Sequence, residues 1–342
     1  MDPLSQAVTG AALAGIFSKR KTMRPALILG AMAGMAPDLD VFIRSEADPL
    51  LALEYHRHFT HSLAFSPLGG LLCAGFFWLF PWFKNQLIFW KIYLFCFLGL
   101  FTHGLLDACT GYGTHVLWPF SNARESWNFI GIIDLAYTLP ALVLLIVAHI
   151  KSSRVLSSIA MLWMLAYLSL GAWQHHRATA ITEQWLEKQN IAHHKLTLRP
   201  TIGNLWLWRI IYEDTKTHRW QTHALYLPYW SDAVGIRRGE TAKVFDDKML
   251  AAYPEDTVTG ADIRRFQFFS DGYLSHHKQD DGGFIIGDIR YSMTPDGAEP
   301  LWGIEPSKKA EEHVTRHSAL NRDARWKNIS DLLGGEGFEP LN

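Results

Sequence analysis

Cysteine is scarce. Only Cys73, Cys96 and Cys109 carry thiols among 342 residues, and no two form a Cys-x-x-Cys pair. That argues against a disulfide framework and against a thiolate-rich zinc knuckle. Cys73 and Cys96 lie inside apolar runs and read as packing residues; Cys109 stands close to a polar cluster but is not assigned to it. An excess of charge of either sign is also missing. Lys plus Arg number 32 against 33 Asp plus Glu, so no basic domain or stripe is present and no nucleic-acid partner is expected. The N-terminal Met1-Asp2-Pro3 lacks the basic stretch that opens a secretory signal, and the first positive charges, Lys19-Arg20-Lys21, come after the first apolar run. No internal repeat is visible.

Charge is also nearly absent from long stretches of the first half. The hydrophobic fraction of 49% would suit a soluble protein, but residues 1–173 are strongly apolar and residues 174–342 hold most of the charge. Six apolar segments stand out: Pro3 to Phe17, Pro25 to Ala36, Leu63 to Phe83, Leu87 to Leu106, Phe129 to Ile150 and Val155 to Trp173. The first two fall short of the about 20 residues a bilayer crossing needs. Several of the 14 tryptophans lie near the ends of apolar runs, as in an interfacial belt. The expected fold is a membrane α-helical domain of about six hydrophobic helices over residues 1–174. A mainly β extramembrane domain follows over 175–307, then a charged tail over 308–342. The turns holding Lys19, Arg20, Lys21, Arg24, Lys84, Lys151 and Arg154 fall on one side if all six segments cross. The positive-inside rule puts that side in the cytoplasm. This predicts a multi-pass membrane protein with its polar clusters, N-terminus and C-terminal half facing the other compartment, a periplasm or cell exterior.

After Trp173, residues 176–195 read as a polar helix. Strands are expected at Leu196–Leu198, Leu205–Tyr212, Arg219–Tyr226, Phe266–Phe269 and Gly283–Tyr291. Turn signals separate them at Glu213-Asp214, Ser270-Asp271-Gly272 and Asp280-Asp281-Gly282. From Lys308 a short helix followed by disorder is expected.

Three groups of potential metal ligands interrupt the apolar half: Asp38 and Asp40; His56-Arg57-His58-Phe59-Thr60-His61-Ser62; and His103 with Asp107, followed by Tyr112-Gly113-Thr114. Carboxylates and imidazoles are the donors of hydrolytic zinc, manganese or iron sites. In an apolar setting such groups are costly unless paired, hydrated or metal-bound. His103 and Asp107 are four apart, hence on one helix face. Two crossings separate the His56–His61 cluster from the loop after Asp107, so all three groups share a side. The candidate ligands are Asp38, Asp40, His56, His61, His103 and Asp107, for a divalent cation, zinc ahead of manganese or iron. Asp40 and Arg57 are the candidate catalytic residues, Arg57 as a holder of an anionic substrate group. Gln6, His58 and Asp134 are weaker candidates that could support the site. The alternative for each group alone is bland: Asp-x-Asp is commonly a solvated turn, and histidines near an interface are commonly just interfacial. His115 is read as a surface group or a support of the site, and His175, His176, His193 and His194 as solvated residues outside it.

These motifs resemble the bacterial inner-membrane metal-dependent hydrolase family of the YdjM/YbcI type. Its pattern of Met-Asp-Pro-x-Thr-His, Pro-Asp-x-Asp, His-Arg-x-x-Thr-His-Ser and His-x-x-x-Asp before Tyr-Gly-Thr is matched by Met1-Asp2-Pro3, Asp38 with Asp40, His56 to Ser62, and His103 to Asp107 with Tyr112-Gly113-Thr114. Trp118-Pro119-Phe120, Ile132-Ile133-Asp134 and Leu205-Trp206-Leu207-Trp208-Arg209 also look like the family. The resemblance implies similarity in ligand pattern to zinc-dependent phospholipase C, an all-helical metal core, and a phosphoester or lipid-derived small-molecule substrate at the bilayer. The chain departs from the pattern at Ser5 and Gln6, where the family has threonine and histidine, so one imidazole is lost. Two rivals remain: a non-catalytic membrane protein whose β-rich domain binds a partner, and an ion or proton transporter. Ligands gathered toward one side argue against the transporter, which would place ionisable groups near the midplane. The sequence does not define the oligomeric state.

Overall fold

A computed structural model of the chain describes residues 1–279, 282–318 and 331–341. They fall into two units. Unit 1 comprises Met1–Ile43, Tyr55–Trp173 and Ile202–Asn204; unit 2 comprises Arg44–Glu54, Gln174–Thr201 and Leu205 onward.

Unit 1 is helical. Its elements are α1 (Pro3–Ile16), α2 (Met23–Met35), a 3-10 turn (Ala36–Phe42), α3 (Leu51–Tyr55, mostly in unit 2), a second 3-10 turn (Phe59–His61), α4 (Ser66–Trp78), α5 (Pro81–Lys84), α6 (Phe89–Ala108), α7 (Leu135–Lys151) and the first part of α8 (Arg154–Lys188). Glycine lets α1, α2 and α6 meet backbone to backbone. A Cβ on Gly10 or on Gly99 would lie 2.4 Å from the Gly30 carbonyl oxygen, a separation that only a bare α-carbon permits. One side of this contact is filled by Val8, Met23, Tyr137, Leu145 and Met164. The other is filled by Leu29, Phe77, Ile92, Phe95 and Leu100.

The six expected apolar segments correspond to helices of unequal length. Among the described residues, three are long and apolar enough to cross a bilayer: Arg20–Phe42, Phe89–Ala108 and Arg154–Lys188. The segment expected to cross from Leu63 to Phe83 yields only the 13-residue α4. Pro81 lacks an N–H and forces Phe80 into an extended conformation (φ −89°, ψ 120°), so the helix cannot continue. The segment expected from Phe129 starts its helix only at Leu135, because Asp134 is extended and caps it. The expected crossing to Trp173 and the separate polar helix after it are one continuous α8, which ends at Lys188 rather than near residue 195. No proline interrupts the run, and its end coincides with Asn190 in a left-handed conformation (φ 54°). Large apolar side chains on α8 remain exposed within unit 1, among them Val155, Ile159, Leu162 and Leu165. A predominantly apolar exposed face of this kind suits hydrocarbon rather than water.

Among the described residues, unit 2 holds a nine-stranded antiparallel sheet, the end of α8, most of α3 and the helices α9 (Asp247–Leu250) and α10 (Val258–Phe269). The strands are β1 (His193–Pro200), β2 (Leu207–Asp214), β3 (Arg219–Tyr226), β4 (Gly235–Val244), β5 (Leu274–Lys278), β6 (Phe284–Asp288), β7 (Trp302–Glu305), β8 (Thr315–Ser318) and β9 (Glu339–Pro340). They pair in sequence order from β1 to β8, and β9 pairs with β4. Alternation sends Trp208, Ile210 and Tyr212 of β2 to one face, against Trp185 and Leu186 of α8. Ile211 goes to the other face, with Trp220, Ala242 and Ile289.

The short α9 (Asp247–Leu250) precedes α10 (Val258–Phe269). Phe266–Phe269, expected as a strand, is the end of α10. Thr257 caps that helix through the Gly260 N–H, and Ile263, Phe266 and Phe269 are buried at a three-residue spacing, which is helical periodicity. Of the expected turns, Asp214 accepts the N–H groups of Lys216 and Thr217, while Asp271 and Gly272 adopt positive φ. Asp280 and Asp281 lie outside the described residues. The tail is not simply a helix and a disordered end. Thr315–Ser318 pairs with β7, and Glu339–Pro340 pairs with β4, because both present free strand edges. Residues 319–330, where part of that expectation falls, lie outside the described residues.

Candidate metal centre

Three segments of unit 1 converge. The first 3-10 turn follows α2 directly, with Pro37 at its second position, where no donor is needed. It carries Asp38 and Asp40. The last turns of α6 carry His103 and Asp107. The second 3-10 turn carries His61 and rests on α6 at Gly104, where a Cβ would lie 1.9 Å from the His61 carbonyl oxygen. Asp38, His61, His103 and Asp107 each offer one ligand atom, and these four atoms lie within 4.8 Å of one another. Nε2 of His61 is 3.5 Å from Asp38 Oδ1 and 3.3 Å from Asp107 Oδ2. Nε2 of His103 is 3.5 Å from Asp38 Oδ1 and 3.7 Å from Asp107 Oδ2.

Partners on the far side of each ring fix its tautomer. Nδ1 of His103 lies 2.6 Å from the Gly34 carbonyl, which can only accept, so Nδ1 carries the proton and Nε2 keeps a lone pair. Nδ1 of His61 lies 3.2 Å from Asp40 Oδ2 and 3.0 Å from Thr60 Oγ1, which favours the same assignment. A carboxylate or carbonyl behind an imidazole is the usual support of a metal-ligating histidine. The inner ring atoms, His61 Nε2 and His103 Nε2, are buried without hydrogen bonds, and Asp107 Oδ2 has only the Arg57 ion pair. Such groups are costly, and a divalent cation among them would satisfy both nitrogens at once. The donor set therefore fits the expected metal. Without one, burial would lower the His61 pKa, but the carboxylates of Asp107, Asp38 and Asp40 outweigh it and hold the imidazole up to about 10.

Asp40 and His56 stand outside this group of four. Asp40 accepts from His56 Nδ1 at 2.8 Å, the Arg57 N–H at 3.0 Å and Thr60 Oγ1 at 3.1 Å, and so ties the His56–His61 segment to the first 3-10 turn. Arg57 does not project into open space: its Nε pairs with Asp107 Oδ2 at 3.1 Å, its Nη1 donates to Thr110 Oγ1, and its guanidinium covers the Tyr112 ring. Gln6, on α1, donates from Nε2 to Asp107 Oδ1 at 2.8 Å. His58 packs against His115, with ring centroids 4.6 Å apart. His115, expected at the surface or as a support of the site, is buried, and its N–H bonds to the Arg57 carbonyl. Asp134 caps α7, accepting from the Ala136 and Tyr137 N–H groups and from the Tyr167 hydroxyl. Sequence reading did not anticipate the Met1 amino group, which hydrogen-bonds to Asp107 Oδ1 inside the site. Nor did it anticipate Thr60 and Thr110, whose hydroxyls lie one residue before His61 and three after Asp107; adjacency to the ligand motifs was their only signal.

The YdjM inner membrane protein family model matches residues 1–178. The inner membrane protein YbcI of Escherichia coli (strain K12) is 36% identical over 128 residues, spanning 35% of this chain and 72% of that protein. No solved structure matches the chain.

Proposed function

The chain belongs to the YdjM inner membrane protein family, and on that footing we propose that its unit 1 is a metal-dependent hydrolase. The observation that carries this reading is the convergence of Asp38, His61, His103 and Asp107, with two buried imidazole nitrogens, His61 Nε2 and His103 Nε2, that no hydrogen bond satisfies. When bound, a zinc ion would supply Lewis acidity and bring the acidity of water toward neutral pH. The chain's own groups then have distinct tasks. His61 and His103 present Nε2 lone pairs because Asp40 and the Gly34 carbonyl hold their Nδ1 protons. Arg57 offsets the charge of Asp107 through their ion pair. His56, part-exposed with its Nδ1 on Asp40, is the residue suited to carry a proton between the site and solvent. Arg57 is too engaged to clamp a substrate, so Asp40 and Arg57 act by positioning.

A phosphoester or lipid-derived substrate is the class that the donor set suits, by analogy. The proposal includes a multi-pass arrangement with the basic turns at Lys19–Lys21, Lys84 and Lys151 in the cytoplasm and the site facing the periplasm. The test is elemental mass spectrometry of detergent-purified protein, with hydrolysis of a chromogenic phosphodiester measured alongside. The expected result is close to one zinc, manganese or iron per chain, lost in His61→Ala and Asp38→Asn together with turnover. A wild type that binds no metal after zinc-supplemented growth would overturn the reading.

A further inference from the structure

Unit 2 contains a second unsatisfied polar site that shares no residue with the metal centre. Arg199 of β1 and Arg209 of β2 are directly opposed in the sheet register, so their side chains leave on the same face. Like charges in that position repel, and both residues are buried, at 7% and 5% exposure. Among the described residues neither forms an ion pair. The three carboxylates whose charge reaches Arg209 are engaged elsewhere. Asp288 holds Arg290 through both oxygens at 2.8 Å. Asp296 pairs with Arg237 at 3.0 Å. Glu240 accepts the Ala298 N–H. Arg209 donates only to neutral carbonyls, those of Thr294, Pro295 and Ile289, and its Nε has no partner. Arg199 lies over the Tyr291 ring at 4.7 Å, and its Nε and Nη1 have none either.

The arrangement is too costly to be plain packing. A buried cation normally has an anion beside it, and here two face each other with three buried N–H positions unused. Burial, and next the Arg199 charge, pull the Arg209 guanidinium down to about 9, the sign of a site that lacks negative charge. Tyr291 fixes the plane of Arg199 and so presents its donors in a set orientation, which suits oxygen anions. We infer that Arg199 and Arg209 form a binding site for an oxyanion, a phosphate or phosphate-ester group, carried on the sheet of unit 2.

The experiment uses the full chain in detergent. Inorganic phosphate is titrated in one arm and phosphatidate in mixed micelles in the other, with phosphatidylcholine micelles as blank. Binding is followed by calorimetry and by the shift in Tm. The wild type should bind saturably in at least one arm; phosphate alone identifies a soluble ligand, and phosphatidate alone a lipid headgroup. Arg199→Gln should weaken that binding at least tenfold. Both titrations are repeated on chelator-treated protein, where the binding should persist because no metal-held anion contributes, which separates this site from the metal reading. In anion-free buffer Arg199→Gln should keep or raise the wild-type Tm, because it relieves a like-charge contact. If that variant does not fold, phenylglyoxal modification of Arg199, mapped by peptide mass spectrometry and blocked by the bound anion, supports the site; modification unaffected by the anion overturns it. Absence of saturable binding in both arms, or unchanged binding by a folded Arg199→Gln, overturns the inference.

Discussion

Adding one methyl group at Gly104 should dismantle the candidate metal centre without touching any of its four donors. A Cβ there would sit 1.9 Å from the His61 carbonyl oxygen. Ordinary contact needs a little over 3 Å, so α6 and the 3-10 turn carrying His61 must separate by about 1 Å or more. Both parts of the clash are backbone, and neither can rotate away. Metal sites tolerate ligand displacements of about 0.2 Å, so a shift several times larger takes His61 Nε2 out of reach of the other donors. The overpacking itself should cost about 1–3 kcal/mol. Gly75 on α4 is the control, since a Cβ there meets nothing within 4 Å. Zinc affinity by calorimetry, with competing chelator, should fall at least a hundredfold in Gly104→Ala and stay at the wild-type level in Gly75→Ala. Wild-type zinc affinity in Gly104→Ala would refute the claim that the seat of His61 on α6 sets the geometry.

Other perturbations test the supports of each unit. His223 should make unit 2 acid-sensitive: burial, then the Arg238 charge, lower its pKa to about 4, and its Nδ1 accepts the Gly239 N–H, a bond that protonation breaks. The neutral ring's contribution is therefore complete above the unfolded value near pH 6.5 and is lost as pH falls through 4. About 3 kcal/mol is at stake, and chemical denaturation from pH 7 to 4 should show a shallower decline in His223→Gln. Asp134→Ala should lower stability by about 2–4 kcal/mol, from the lost cap and the Tyr167 bond, whereas Asp134→Asn should recover at least half in thermal unfolding. Arg265 bridges Asp48, Glu54 and Asp262 within unit 2. Because it is partly solvent-exposed, Arg265→Ala should change global stability by under about 1 kcal/mol, yet speed proteolysis between Arg44 and Glu54 several-fold.

Which residues would meet was easier to read than how. The three polar clusters stood out because ionisable groups are rare in apolar sequence, and the four-residue spacing of His103 and Asp107 already fixed them on one helix face. The division of labour among them did not follow from the sequence. Asp38 and Asp40 are separated by one leucine, and only the handedness of the 3-10 turn decides that Asp38 joins the four while Asp40 turns back to His56, Arg57 and Thr60. Helix lengths were misread where apolar composition outran the backbone: Pro81 ends a run that hydropathy alone carries to Phe83. Asp134 before Leu135-Ala136-Tyr137 is a capping signal legible in the sequence, and the residue does cap α7. The Arg199–Arg209 opposition depends on strand register, which composition does not define when so many residues of β1 are only partly buried.

Gln6 supports the candidate site through a hydrogen bond to Asp107. Where the family pattern has a histidine, this chain offers a carboxamide whose Nε2 binds Asp107 Oδ1, alongside the Met1 amino group. The reverse orientation of the amide would set its oxygen against the carboxylate, so the hydrogen-bond network itself assigns Nε2 to Asp107. With Oδ1 held by two donors, Oδ2 is the oxygen left to face His61 and Arg57. Residue 6 thus aims the Asp107 carboxylate in this chain. Under the proposed metal reading, the four groups on the first 3-10 turn, the second and α6 suffice for a single ion. An ion that relied on an imidazole from α1 would lose its strongest tie, because a carboxamide oxygen is a poorer partner for zinc than imidazole nitrogen. The substitution therefore bears on how many ions the site holds more than on whether it holds one.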